Sequence, residues 1–278
     1  MRAIIKILVP FLFIITLQSC IRDADVEVPE VDPKLVIFSA ISPQDDFVLI
    51  GVSKSKPFFG TQEEDDEQPI LDAIVRLWSA TDTIVVPYVE EQYAYYVSQL
   101  DFPIVAGETY YMEVAVSGLP TVYASTTVPL ATPSVSSATF EGYQSFQGGE
   151  FSESTNEYRY NVQWMDSDLN ENYYRVILYW LENIDYLARA DEYVKDVLDN
   201  GEEISKNLYL SSYGPDISGE GIPYAVYLLN VDETYYRYHK TSSLISGDDP
   251  FSEPVQVYTN VENGLGCFCS FNGSYEEF

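Results

Sequence analysis

The chain is short of the residue types on which much catalysis and most covalent bracing depend. Its 278 residues include one histidine, three cysteines and three methionines. His239 alone cannot supply a histidine-rich metal centre, and a hydrolase of the Ser-His-Asp kind would have to be built on that one side chain. No G-x-S-x-G, H-E-x-x-H or P-loop pattern is present. Three cysteines cannot form the dense disulfide framework of a small secreted scaffold, so stability must come from packed cores. Basic residues are also scarce: 14 Lys+Arg stand against 44 Asp+Glu, a formal net charge of −30. Such a field repels nucleic acid and anionic membranes, so nucleic acid is not an expected partner. It suits a solvated surface and attraction to cations or basic partners. No apolar run reaches the roughly 20 residues that a membrane-spanning helix needs.

What is present begins with a leader. Arg2 and Lys6 precede the apolar stretch Ile7–Leu17, which has the length of a signal-peptide core. Leu17-Gln18-Ser19-Cys20 follows and resembles the bacterial lipobox, in which a thiol is acylated before the leader is cut. The expectation is removal of residues 1–19, lipidation of Cys20, and stable membrane anchoring through several acyl chains. An ordinary secretory signal that happens to contain a Cys is the competing reading. Residue 21 is Ile and not Asp, so the usual inner-membrane retention signal is missing and the outer membrane is expected. Residues 20–33 read as an acidic, proline-punctuated tether. Asp23, Asp25 and Glu27 resemble a surface-export signal of Bacteroidota lipoproteins. Surface-facing and periplasm-facing placements are equally supported.

The remainder is built to fold: hydrophobic residues make up 46% and aromatics 15%, with 24 tyrosines. Residues 34–130 show about seven short strands split by Pro, Gly and Asp turns, which points to a β-sandwich. The stretch Tyr96-Val97 to Ala106-Gly107-Glu108-Thr109-Tyr110-Tyr111 resembles an Ig-like or transthyretin-like repeat. Five acidic residues at 63–67 read as a solvated loop, with weak Ca²⁺ capture as the sharper alternative. Residues 131–137 read as a linker to a second β-rich domain, 138–278. There Tyr158, Tyr160, Val162 and Trp164 keep a strand period, and Tyr173–Leu181 is apolar on both faces, as a central strand would be. The mixed pattern of 184–200 suggests a short helix. Asp232 is placed to N-cap a second helix carrying Tyr235, Tyr238, Ser242 and Ile245. Val255–Tyr258 and Cys267–Phe271 are expected as closing strands. The expected fold is therefore mainly β, a sandwich followed by a β-rich domain with one or two short helices.

Candidate chemistry is thin. Asp166-Ser167-Asp168 opens like an EF-hand loop, but Glu171 stands where Gly is needed and Ile177 where a bidentate Glu belongs. Cys267 and Cys269 fall on one strand face, where free buried thiols are expected over a strained disulfide or a metal contact. Trp78, Trp164 and Trp180 read as core residues, with sugar stacking as the alternative. His239 reads as a surface residue. No metal, cofactor or catalytic residue is assigned.

Two motifs carry a wider resemblance. Asp166 with Glu171-Asn172-Tyr173-Tyr174-Arg175 is one. Asp249-Pro250-Phe251-Ser252-Glu253-Pro254-Val255, followed by Tyr258-Thr259-Asn260 and Gly264-Leu265-Gly266-x-Phe268, is the other. Together they resemble the Bacteroidota outer-membrane lipoprotein family catalogued as domain of unknown function 4249. The resemblance implies an accessory role at the outer membrane beside a TonB-dependent, SusC-like β-barrel; with the lipobox and the two β-rich units, the leading expectation is a non-enzymatic accessory in nutrient binding or uptake. A surface adhesin with Ig-like modules and a glycan hydrolase with paired carboxylates are the alternative readings.

Overall fold

Alternation of buried and exposed side chains builds nearly every element of this protein. The computed structural model describes residues 32–56, 69–130, 132–146, 155–167, 171–181, 189–196, 201–213, 222–244 and 255–278. Eight strands come from the first half: β1 (Leu35–Ile41), β2 (Phe47–Lys54), β3 (Ile74–Trp78), β4 (Thr83–Val86), β5 (Tyr88–Val89), β6 (Ala94–Ser98), β7 (Thr109–Ala115) and β8 (Val122–Thr127). The second half adds β9 (Val135–Phe146), β10 (Thr155–Met165), β11 (Tyr173–Trp180), β12 (Arg189–Lys195), β13 (Glu203–Tyr213), β14 (Tyr224–Val231), helix α1 (Glu233–Ser242) and β15 (Leu265–Glu277). The mainly-β expectation therefore holds, with one α-helix among the described residues.

One large sheet organises the molecule. Its order is β12-β11-β14-β15-β1-β2-β6-β5, so it draws strands from both sides of the Pro129–Pro133 stretch. A four-stranded sheet, β4-β3-β7-β8, packs against the β1–β2–β6 end around Ile37, Ile50, Leu77, Met112 and Phe268. A three-stranded sheet, β13-β10-β9, packs against the β12–β11–β14 end around Tyr158, Tyr160, Trp164, Leu178 and Leu228. The β10 period is realised as read: Tyr158, Tyr160, Val162 and Trp164 are all fully buried. β11 also sits centrally, between β12 and β14. α1 lies across the other face of the large sheet, over Tyr173, Leu229, Cys267 and Cys269. That placement explains why β14 is buried on both faces.

The seam between the two halves is a parallel pair. β1 runs beside β15 from Val36 opposite Leu265 to Ile41 opposite Ser270. Glycine is required there: Gly266 has φ +101°, and a Cβ on it would lie 1.9 Å from the Ile37 carbonyl oxygen. Gly264 is similarly confined: a Cβ on it would lie 2.8 Å from Val122 Cγ1 and 2.9 Å from the Leu35 oxygen.

Three expectations are corrected. The described part of 184–200 is strand β12, because its backbone pairs with β11 along the full length from Tyr173 opposite Lys195 to Tyr179 opposite Arg189. Val255–Tyr258 is irregular and forms no ladder; its Tyr258 N–H is taken by the Thr241 hydroxyl at 2.9 Å. β9 begins at Val135, within the stretch read as linker. Residues 1–19, Cys20, the acidic run 63–67, Asp168 and Asp249–Pro254, with Pro250 and Phe251, lie outside the described residues.

Candidate functional site

The first motif converges on two places along β11. At its start, Asp166 is buried and accepts from the Tyr174 hydroxyl at 2.7 Å and from Asn172 Nδ2 at 3.3 Å. The Gly201 N–H reaches its other oxygen at 3.4 Å. One carboxylate thus ties the end of β10, the entry to β11 and the turn before β13. Burial, then the bond to Asp166, hold the Tyr174 phenol well above its ordinary pKa. Asn172 Nδ2 also donates to the Ser167 carbonyl at 3.0 Å. The polar atoms that looked like the opening of a calcium loop serve the fold. Glu171 accepts from Tyr173 at 2.9 Å and pairs with Lys195 at 3.0 Å; the Lys195 bond leads in lowering its pKa.

Further along, Arg175 reaches Asp191 through two bonds, Nε–Oδ1 at 2.9 Å and Nη2–Oδ2 at 2.5 Å. Its third nitrogen donates to the Tyr235 hydroxyl of α1. The rings of Tyr193 and Tyr235 flank the guanidinium at 5.2 and 5.8 Å. Burial alone would lower the Arg175 pKa, but the Asp191 hydrogen bond and the surrounding charges outweigh it and raise the value. This is a bidentate, planar pairing that Lys could not copy.

His239, read as a surface residue, is half-buried. Its ring stacks on Tyr193 at 5.6 Å and 18°, lies 4.5 Å from Tyr235, and meets Phe38 and Tyr238 edge-on. Its Nε2 is buried and without a hydrogen-bond partner among the described residues. Burial first, then the Arg175 charge, push its pKa down to about 4, so the imidazole is neutral at pH 7. Beneath the helix, Cys267 and Cys269 are free, fully buried thiols. Burial, with Cys267 alongside, raises the Cys269 thiol well above its usual value. The nest of Tyr173, Arg175, Tyr193, Tyr235 and His239 therefore anchors α1 to the sheet.

The second motif does the same at the seam. Asn260 Nδ2 donates to the Ser125 and Phe268 carbonyls at 2.9 and 2.7 Å, and its oxygen accepts from the Phe268 N–H at 3.0 Å. Phe268 fills the first sandwich core.

A profile of the family described as Domain of unknown function (DUF4249) matches residues 21–276. The chain belongs to this family. No curated protein matches it. The described residues of the two motifs read from the sequence lie at two structural junctions, β10–β11–β13 and β1–β15–β8, with Arg175 as the link to α1.

The open clefts lie beside these junctions. One of about 440 Å³ runs between α1 and the 256–259 segment, lined by Tyr236, Arg237, Lys240 and Tyr258. Arg237 stacks over the Tyr258 ring at 4.1 Å. A second, of about 380 Å³, is lined by Thr132, Ser136, Met165, Asp166, Tyr174 and Asn230. Among the described residues no group of three or more His, Cys, Asp or Glu is gathered to hold a metal. Sequence reasoning missed Asp191, Tyr193 and the burial of His239. The cue available was Arg175 itself: a charge on a strand apolar on both faces requires a partner, and a strand at 189–195 would have supplied Asp191.

Proposed function

We propose that this chain is an outer-membrane lipoprotein, anchored through acylated Cys20, which acts without enzymatic chemistry as an accessory to a TonB-dependent β-barrel transporter in nutrient binding or uptake. The observation that carries the reading is the leader ending in Leu17-Gln18-Ser19-Cys20. The use of the family's polar residues supports the non-enzymatic part. Asp166, Asn172, Tyr174, Arg175 and Asn260 spend their polar atoms on bonds that join strands. A reaction centre would instead aim such groups at a substrate. The test is isolation of the native protein from outer membranes. The mature chain should begin at a diacylglyceryl Cys20 by mass spectrometry, and a β-barrel transporter should co-purify. Cys20→Ser should move the protein to the soluble fraction. An unmodified Cys20, or purification without any β-barrel, would defeat the proposal.

A further inference from the structure

Trp78 is the tryptophan that the cores do not absorb. Trp164 and Trp180 are 0% and 6% exposed, whereas Trp78 lies half-buried on the outer face of the four-stranded sheet, opposite the face that packs the first sandwich. Its cross-strand partner on β7 is Tyr111, 40% exposed. The two rings are 5.5 Å apart with planes within 13°. In the same row the flanking strands carry small hydroxyl residues, Thr83 on β4 and Ser125 on β8. No large side chain in that row covers either outer ring face. The adjoining row on one side holds the Arg76–Glu113 ion pair at 2.9 Å, beside Tyr123. The adjoining row on the other side holds the Thr109 and Thr127 hydroxyls, 2.8 Å apart. The aromatic strip thus has the Arg76–Glu113 pair on one side and the Thr109 and Thr127 hydroxyls on the other, with Val85, 57% exposed, beside Arg76 on β4.

We propose that this face binds a neutral pyranose unit of an oligosaccharide. The carbon-bound hydrogens of a sugar ring form an apolar patch that settles on an aromatic face, while the hydroxyls around its edge seek the kind of polar rim found here. Beside their mutual bond, Arg76 keeps further N–H donors and Glu113 a second oxygen, and the Ser and Thr hydroxyls can serve in either sense. The chain's charge of −30 argues against uronic or sulfated sugars and for an uncharged ligand. The inference stands on this sheet face and does not need the transporter partnership, so each can fail without the other.

The burial of Trp164 and Trp180 makes the test direct, because a ligand-dependent change in tryptophan emission reports on Trp78. The mature soluble chain is titrated with maltohexaose, cellohexaose, xylohexaose and mannohexaose, with calorimetry in parallel. At least one should give a saturable change in emission. Tyr111→Ala, which keeps the fluorophore, should weaken that binding at least tenfold, and Tyr111→Phe should restore it. Retained emission from Trp164 and Trp180 and an unchanged unfolding transition show that each variant is folded. No saturable response to any of the four sugars, while acrylamide still quenches Trp78, would overturn the proposal and leave a sheet-pairing role. Equal affinity for polygalacturonate, or binding indifferent to Tyr111→Ala, would overturn it as well.

Discussion

The two sandwiches share one sheet but are filled by different chemistry. The first is packed mainly with branched aliphatics: Leu35, Ile37, Val48, Ile50, Val75 and Val114 are nearly fully buried. The second is packed with Tyr158, Tyr160, Trp164, Tyr174, Trp180 and Tyr224. An aliphatic core has no polar atoms to satisfy. An aromatic core of tyrosine and tryptophan gains area but brings a donor with each ring. Two of the donors are matched inside the fold: Trp180 Nε1 gives to the Tyr160 hydroxyl at 2.7 Å, and the Tyr224 hydroxyl to the Ala138 carbonyl at 2.9 Å, while Trp164 Nε1 is buried without a hydrogen-bond partner among the described residues. Tyr174 gives to Asp166 at 2.7 Å, which makes a family-motif carboxylate part of the core's polar pairing. The second sandwich should therefore be the more specific and the less forgiving of the two.

The largest effect is expected at the seam that joins them. Gly266→Ala places a Cβ on the Ile37 oxygen at a positive φ and should cost more than about 3 kcal/mol, by denaturant titration. A cost below about 1 kcal/mol would mean that the parallel seam can open freely and that the halves are independent. Next, Trp164→Ala should cost about 3–5 kcal/mol, against about 0.5–1.5 kcal/mol for Ile50→Val in the first core. Equal costs would erase the contrast. Tyr160→Phe should cost about 1–3 kcal/mol, since it leaves the buried Trp180 N–H without its acceptor. Tyr95→Phe should cost less: Tyr95 is itself buried, but its hydroxyl bridges the Ala73 N–H and the Ile70 carbonyl, whose residues are only half-buried and can turn to water instead.

A further effect sits at α1 and depends on pH. His239 has a folded pKa near 4 against an ordinary 6.5, so the unfolded chain binds the extra proton and stability falls as pH drops from 6.5 to 4. Asp232 is raised to about 6 from 3.8, chiefly by burial, although Thr126 and the Tyr235 N–H favour its charge. There the folded chain holds the proton, and stability falls as pH rises from 3.8 to 6. The two slopes oppose between about pH 4 and 6. Thermal unfolding of His239→Phe should show stability declining across that window, and Asp232→Asn should show it increasing, each by about 1–2 kcal/mol after allowance for solvent screening. Parallel profiles for the two variants would remove the opposition.

Where a segment carried its own period, the sequence was readable. Tyr158 to Trp164 alternates, and β10 follows; Asp232 caps α1 through the Tyr235 N–H at 2.8 Å as its position suggested. What was hidden depended on distant partners. Arg189–Lys195 has a pattern compatible with a helix, and it is a strand because β11 offers a free edge and Asp191 meets Arg175 there. His239 looked solvent-facing because it stands beside Lys240 in a tyrosine-rich stretch. Its surroundings come from Phe38 and Tyr193, residues on two other strands. The motif residues were recognisable as a set, but their shared task of joining strands is visible only once β8, β13 and α1 are in place.

β1 and β15 are hydrogen-bonded neighbours although they are the first and last strands among the described residues. A chain emerging amino end first must hold Leu35–Ile41 without a mate until Leu265–Glu277 arrives, and Phe268 is missing from the first core until then. The first core therefore closes only once β15 has been made, and a chain that stops short of Leu265 leaves β1 and β14 each one neighbour short.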